Sequence, residues 1–158
     1  MIFVTVGSLW PFDRLVRAVD AAVADGVITE SVFAQIGESC IQPGHIQYAK
    51  LLDKGEFDRL VRECSFVVSH AGIGTIATAL EYRKTVVAMP RRKKFGEHVN
   101  DHQYDTAVRF GGAGHILVAN DDAELREHIR IARAFVAKPR TSQPEAVAKR
   151  IAQFLADV

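Results

Sequence analysis

The side chains best suited to chemistry are concentrated between Ser69 and Gln103, in SHAGIGTIATALEYRKTVVAMPRRKKFGEHVNDHQ. Gly72 and Gly74 flank Ile73 where a buried strand should turn into a helix over Thr75 to Leu80. The free N–H groups at such a helix start carry partial positive charge, and glycines let a phosphate approach the backbone closely. The same turn also serves simply to pack a helix on a sheet. Glu81 lies too far along the helix to cap it. It fits either a solvated surface position or a ribose contact, in which one carboxylate accepts both hydroxyls and a nucleotide is held at two points. His70, just before the turn, suits a core histidine bonded to backbone or a ligand contact.

The polar cluster PRRKKFGEHVNDHQ, residues 90–103, holds His98 and His102 at i, i+4 with Glu97 and Asp101 beside them. A two-histidine, one-carboxylate metal site has this composition, although the order is not H-E-x-x-H, and histidines this close also occur as hydrogen-bonding loop residues. Arg91, Arg92, Lys93 and Lys94 fit a solvated loop or, at the mouth of a phosphate site, a trap for a diphosphate or for acidic headgroups. Ser8 after the first strand, and Gln35 with Glu38 around the end of the second, point toward the same place. The segment GSLWPF lacks the G-x-G-x-x-G fingerprint and no Walker pattern occurs, so the common NAD and ATP sites are not expected.

These residues need a scaffold, and strand and helix signals alternate along the chain. Ile2 to Val6 is a β-branched run closed by Gly7. Phe12, Leu15, Val16, Val19 and Val23 then recur at helical spacing until Gly26. Ser31 to Ile36 reads as a second strand, and HIQYA within the blurred stretch Gly37 to Lys50 as a short extra one. Phe57, Leu60 and Val61 mark a helix, Phe66 to Ser69 and Thr85 to Met89 further strands, and Asn100 to Phe110 a helix broken by GGAG. HILVA makes a last strand, and Asp121 to Phe135 and Pro144 to Val158 are expected as closing helices. The alternation predicts a doubly wound, Rossmann-like α/β domain with a parallel sheet. Loops beginning at Gly7, Gly37, His70 and Pro90 should then meet in one crevice at the carboxyl ends of the strands.

Composition bounds the function. The 158 residues carry 48% hydrophobic and 25% charged residues and a formal net charge of +1, as expected of one globular domain spanning 1–158. Near-neutral charge gives no footprint for nucleic acid. Cys40 and Cys64 form no C-x-x-C pair and read as reduced thiols of a cytoplasmic protein. MIFVTVG has no basic n-region and no run is of membrane-spanning length, so membrane contact is expected only peripherally or through a partner.

The stretches IFVTVGS…PFDRLV, FAQIG and SHAGIGTI…ALEYRKTVVAMPRRKKFGEHVNDHQ together resemble the donor-binding subunit of split GT-B glycosyltransferases. That group includes the PssE-like exopolysaccharide transferases and the catalytic subunit of the dolichol-linked UDP-GlcNAc transferase. More distantly the pattern is similar to the C-terminal half of MurG, in glycosyltransferase family 28. The resemblance implies that the chain is equivalent to the C-terminal half of a GT-B enzyme. It gives the UDP diphosphate to His70, Gly72, Gly74 and Thr75, the ribose to Glu81, and the sugar to Gln103 with Asp101 and His102 nearby. Gly7, Ser8, Gln35, Gly37, Ile73 and Arg91 complete the expected donor site, and His70, His98 and His102 are the candidate catalytic groups.

By the same resemblance no protein-bound metal or other cofactor is expected. The implied reaction is inverting transfer of a sugar from a UDP-sugar to a polyprenyl-diphosphate-linked saccharide, in exopolysaccharide or capsule formation. A membrane-associated second subunit should hold that acceptor. Ser8 keeps the hydroxyl where many relatives carry Thr, whereas the loop around Trp10 departs from the family pattern. Glucuronate would suit Arg91 to Lys94; galactose, glucose and GlcNAc are equally allowed. Two other classes remain: a metal-assisted hydrolase using His98, His102 and Asp101, and a non-catalytic UDP-sugar sensor.

Overall fold

The computed structural model describes residues 1–139 together with Gln153, so the expected closing helix Pro144 to Val158 lies outside the described residues. Six strands, β1 (Ile2–Thr5), β2 (Val32–Gln35), β3 (Gln47–Ala49), β4 (Val67–Ser69), β5 (Val86–Ala88) and β6 (Leu117–Val118), form one sheet. Its order is β3-β2-β1-β4-β5-β6 and every pairing is parallel. The helices are α1 (Asp13–Ala24), α2 (Lys54–Glu63), α3 (Ile73–Glu81), α4 (His102–Gly112) and α5 (Asp122–Ile131). This is the doubly wound, Rossmann-like architecture that the alternating pattern predicts.

The strands are apolar on both sides because both sides are covered. Ile2, Val4, Val68 and Val87 join Leu15, Val16, Val19, Leu125 and Ile129 in a core under α1 and α5. Phe3, Val67, Val86 and Ala88 point the other way and pack with Leu60, Val61, Ile76, Ala79 and Ala107 of α2, α3 and α4. Phe3, fully buried, meets the edge of Phe57 at 5.3 Å between centroids. Burial of such a side chain contributes about 1.5–3 kcal/mol.

Local chemistry sets the ends of the helices. Asp53 caps α2 by accepting from Glu56 N at 2.9 Å, and Asp121 caps α5 from Glu124 N at 2.9 Å. Helix α4 starts at His102, two residues later than the sequence pattern suggests, because the Asn100 side chain accepts from His102 N and holds the chain in a turn. Helix α5 stops at Ile131 and not Phe135, since Ala134 N and Phe135 N both donate to Ile131 O in a closing turn.

The strand order reverses between β1 and β4. The chain leaves β1 toward α1 on one face and leaves β4 toward α3 on the other, so the two loops part and open a crevice between them. That is where an open parallel sheet receives ligands.

Candidate functional site

A cleft of about 500 Å³ occupies this crevice. Its walls come from the loop after β1 (Gly7, Ser8, Leu9, Trp10), the β4–α3 turn (His70, Gly72, Gly74, Thr75) and the segment after β5 (Arg91, His98, His102, Gln103). Three of the four loops expected to converge do so. The fourth, after β2, is drawn behind the site: Phe12 N donates to Ser39 Oγ at 3.0 Å and Cys40 N to Asp13 Oδ1 at 2.9 Å, so it lies against the start of α1.

His70 sits at the centre, 9% exposed. Its Nδ1 lies 3.4 Å from Thr5 O, the one backbone carbonyl it meets, which makes Nδ1 the protonated nitrogen and leaves Nε2 as an acceptor. The imidazole is clasped between two glycines. A Cβ added to Gly72 would stand 2.2 Å from Nε2, and one added to Gly7 3.0 Å from Cε1. Gly72 is thus required by the ring beside it. Burial, reinforced by the Arg91 charge, pushes the His70 pKa down to about 4, so the ring is neutral at pH 7.

Arg91 turns inward from the head of the basic run and is 2% exposed. Its Nη2 donates to Val6 O and Trp10 O at 2.6 Å each, its Nε donates to Pro11 O at 3.2 Å, and its Cζ lies 4.9 Å from the Phe12 ring centroid. One guanidinium therefore holds the loop after β1 by three carbonyls. Burial lowers its pKa to about 10, which leaves it charged at pH 7. Its own N–H donates to Gln103 Oε1 at 3.2 Å, fixing the amide of a residue that lines the cleft.

Glu97 works behind the same wall. It pairs with Arg14 at 2.6 and 2.8 Å and accepts from Arg92 N at 2.9 Å, tying the segment after β5 to α1.

Helix α3 begins with its backbone donors open. Gly72 stands at the N-cap with no side-chain cap and there is no acidic residue in the first turn. The first helical hydrogen bond there is Ile76 N to Gly72 O, which leaves the N–H groups of Ile73, Gly74 and Thr75 without backbone partners. A Cβ on Gly74 would meet nothing within 4 Å, so this side of the turn is open to the cleft. Three N–H groups without backbone partners, the positive end of a helix dipole and the buried Arg91 charge lining the same cleft are an arrangement chemically suited to an anion.

Several expected site residues stand elsewhere. Glu81 is the last residue of α3, about 12 Å along the axis from Ile73. It lines a different cavity with Thr85 and Phe135 to Pro139, at the amino end of β5, whereas the cleft lies at the carboxyl ends of the strands, so the carboxylate stands apart from the start of α3. Gln35 and Gly37 support the wall from outside. Gln35 Nε2 donates to Gly7 O at 3.3 Å, and Gly37, at φ +54, leaves room for Gly7 O, to which a Cβ would come within 2.8 Å. Glu38 is exposed, and Ile73 stands at the rim with 57% of its surface exposed.

Asp101 is turned away from His98 and His102. It accepts from Lys93 N at 2.9 Å and faces Arg92 Nε at 3.5 Å, and among the described residues no group of three potential ligands is suitably placed for a metal. The basic run does not act as one cluster. Arg92 stacks on Tyr104 at 4.0 Å, while Lys93 and Lys94 stay exposed. Sequence inspection missed Leu9 and Trp10. The unusual GSLWPF segment was their one signal.

The model of the glycosyltransferase family 28 C-terminal domain matches residues 1–155. A UDP-N-acetylglucosamine–N-acetylmuramyl-(pentapeptide) pyrophosphoryl-undecaprenol N-acetylglucosamine transferase of Prochlorococcus marinus is 28% identical over 96 residues. The match covers 58% of this chain and 25% of that protein, so the chain spans about a quarter of its curated relative. Among solved structures, ALG13 superposes with a TM-score of 0.60 at 18% identity, covering 95% of this chain and 93% of that one. MurG of Acinetobacter baumannii gives 0.56 at 17% identity, over 86% of this chain and 45% of that one. These structures share the fold.

Proposed function

The chain belongs to the glycosyltransferase family 28 C-terminal domain family, and on that premise we propose that its cleft is the donor half of a UDP-sugar-dependent, inverting glycosyltransferase. The observation that carries this is the uncapped start of α3, open beside Gly74 at the point where the strand order reverses. The diphosphate sits on the N–H groups of Ile73, Gly74 and Thr75. As the sugar leaves, negative charge grows on UDP, and these fixed donors with the Arg91 charge stabilise it without reorganising. His98 and His102 stand at the mouth as candidates to take the proton of the acceptor hydroxyl. Partial burial, with Arg91 nearby, lowers the His98 pKa, the direction that favours the proton-accepting form.

The acceptor in this proposal is a polyprenyl-diphosphate-linked saccharide of exopolysaccharide or capsule synthesis, held by a membrane-associated second subunit. Support comes from the likeness to ALG13, which is matched over 93% of its length. Exposed Leu9 of the cleft wall, Ile73 at the start of α3, and Phe95 and Val99 in the segment after β5 offer that subunit apolar contacts. No helix among the described residues is long and apolar enough to cross a membrane.

Calorimetric titration of UDP and uridine tests the donor site. Gly74→Val should weaken UDP about tenfold or more and leave uridine unchanged. Equal UDP affinity in the folded variant refutes the phosphate assignment. In a transfer assay, UDP release with a polyprenyl-linked acceptor should require membranes containing the partner. Transfer by the purified chain alone refutes the split enzyme, and absence of transfer in a competent system favours a UDP-sugar sensor.

A further inference from the structure

We propose that Trp10 is the floor of a pyranose subsite, on which the sugar of the donor stacks beside His98. This rests on the donor assignment above and extends it. Trp10 is the single tryptophan of the chain, it lines the cleft, and 42% of its surface is exposed. A large aromatic side chain left open in a concave site has no packing reason to be there, unlike one scattered on a convex surface.

The platform is held rigidly. Arg91, almost wholly buried, grips Trp10 O and the neighbouring Pro11 O, so the loop bearing the indole is tied to the segment after β5. The ring of His98 lies 5.4 Å from the indole and that of His102 4.6 Å from His98, extending the aromatic surface along the mouth.

Position and chemistry select a sugar. With the diphosphate on the start of α3, one end of the donor runs toward the loops after β1 and β5, where the indole shares the cleft lining with Ser8, Gln103 and the two imidazoles. These are hydroxyl, amide and imidazole groups, which suit the several hydroxyls of a pyranose. The C–H groups of a sugar face carry slight positive charge and pack against the negative face of an indole, while its hydroxyls point outward to polar groups at the edge. No carboxylate among the described residues lines the cleft, so the subsite takes a neutral or anionic hexose in preference to a cationic amino sugar.

Because Trp10 is the sole tryptophan, its fluorescence reports on this subsite directly. The full chain is titrated with UDP and with UDP-glucose, UDP-galactose, UDP-GlcNAc and UDP-glucuronate, with affinities measured in parallel by calorimetry. At equal saturation, at least one UDP-sugar should change Trp10 emission where UDP does not, and should bind more tightly than UDP. Trp10→Ala should erase that preference, a loss of roughly three- to tenfold, and leave UDP affinity unchanged. Trp10→Phe, which keeps an aromatic face, should retain part of it. The subsite is overturned if UDP and every UDP-sugar affect emission and affinity alike, or if Trp10→Ala keeps the preference. Failure of UDP itself to bind overturns the donor assignment beneath it.

Discussion

Gly72→Ala should destabilise the protein through a single collision. The backbone at Gly72, φ −78 and ψ 127, is one that alanine adopts freely, so the substitution carries no conformational cost of its own. Its Cβ, however, would lie 2.2 Å from His70 Nε2, 2.9 Å from Cδ2 and 3.0 Å from Cε1. Against an ordinary contact of about 3.5 Å the ring must retreat by more than about 1 Å. Its room to move is small, since it is buried and Gly7 also stands close to it, where an added Cβ would lie 3.0 Å from Cε1. Either the bond from Nδ1 to Thr5 O breaks or the start of α3 shifts. Overpacking costs about 1–3 kcal/mol and the lost hydrogen bond about 1 kcal/mol, so about 2–4 kcal/mol is expected in all. Urea unfolding should show a midpoint lower by on the order of 1–2 M. The decisive measurement is a double-mutant cycle with His70→Ala. Once the ring is gone, Gly72→Ala should cost less than about 0.5 kcal/mol. An equal cost in both backgrounds would refute the clasp.

Stability should depend on pH through the same ring. The His70 pKa is lowered on folding from the usual 6.5 to about 4, so between these values the unfolded chain binds the extra proton. Its contribution is complete above about pH 6.5 and falls as the pH drops toward 4, by about 3 kcal/mol in all; urea titrations across this range should show the slope, and His70→Asn should flatten it. Glu81→Ala should leave UDP affinity within about twofold, because the carboxylate lies at the far end of α3; a loss of tenfold or more in calorimetry would contradict its placement.

The sheet was largely legible because strands covered on both faces must be apolar throughout. VTV, VVS and TVVAM cannot be solvated loops, and even the edge strand β3 showed in HIQYA. Two things were hidden, for different reasons. Proximity in sequence misplaced Glu81. A helix of nine residues carries its last side chain toward the amino end of β5, and only the third dimension separates that end from the glycine turn. The run Arg91 to Lys94 was ambiguous because four consecutive cations look alike. Which one turns inward depends on carbonyls about eighty residues earlier in the chain, at Val6, Trp10 and Pro11. In sequence the two glycines look alike, yet a Cβ at Gly72 would strike an imidazole while one at Gly74 would meet nothing within 4 Å.

The grip of Arg91 on the loop after β1 also dictates when the cleft can exist. Its bonds to Val6, Trp10 and Pro11 join residues 80 to 85 apart in sequence, and the Arg14–Glu97 pair spans 83. Closing loops of that length is entropically costly and places the cleft among the late events of folding. During synthesis, a nascent chain that has emerged as far as the turn after β4 already carries His70 and the loop after β1, but lacks the guanidinium that shapes it. The cleft therefore forms only once the segment through Gln103 has emerged and docked, and a chain cut short before Arg91 loses that grip even though five of the six strands remain.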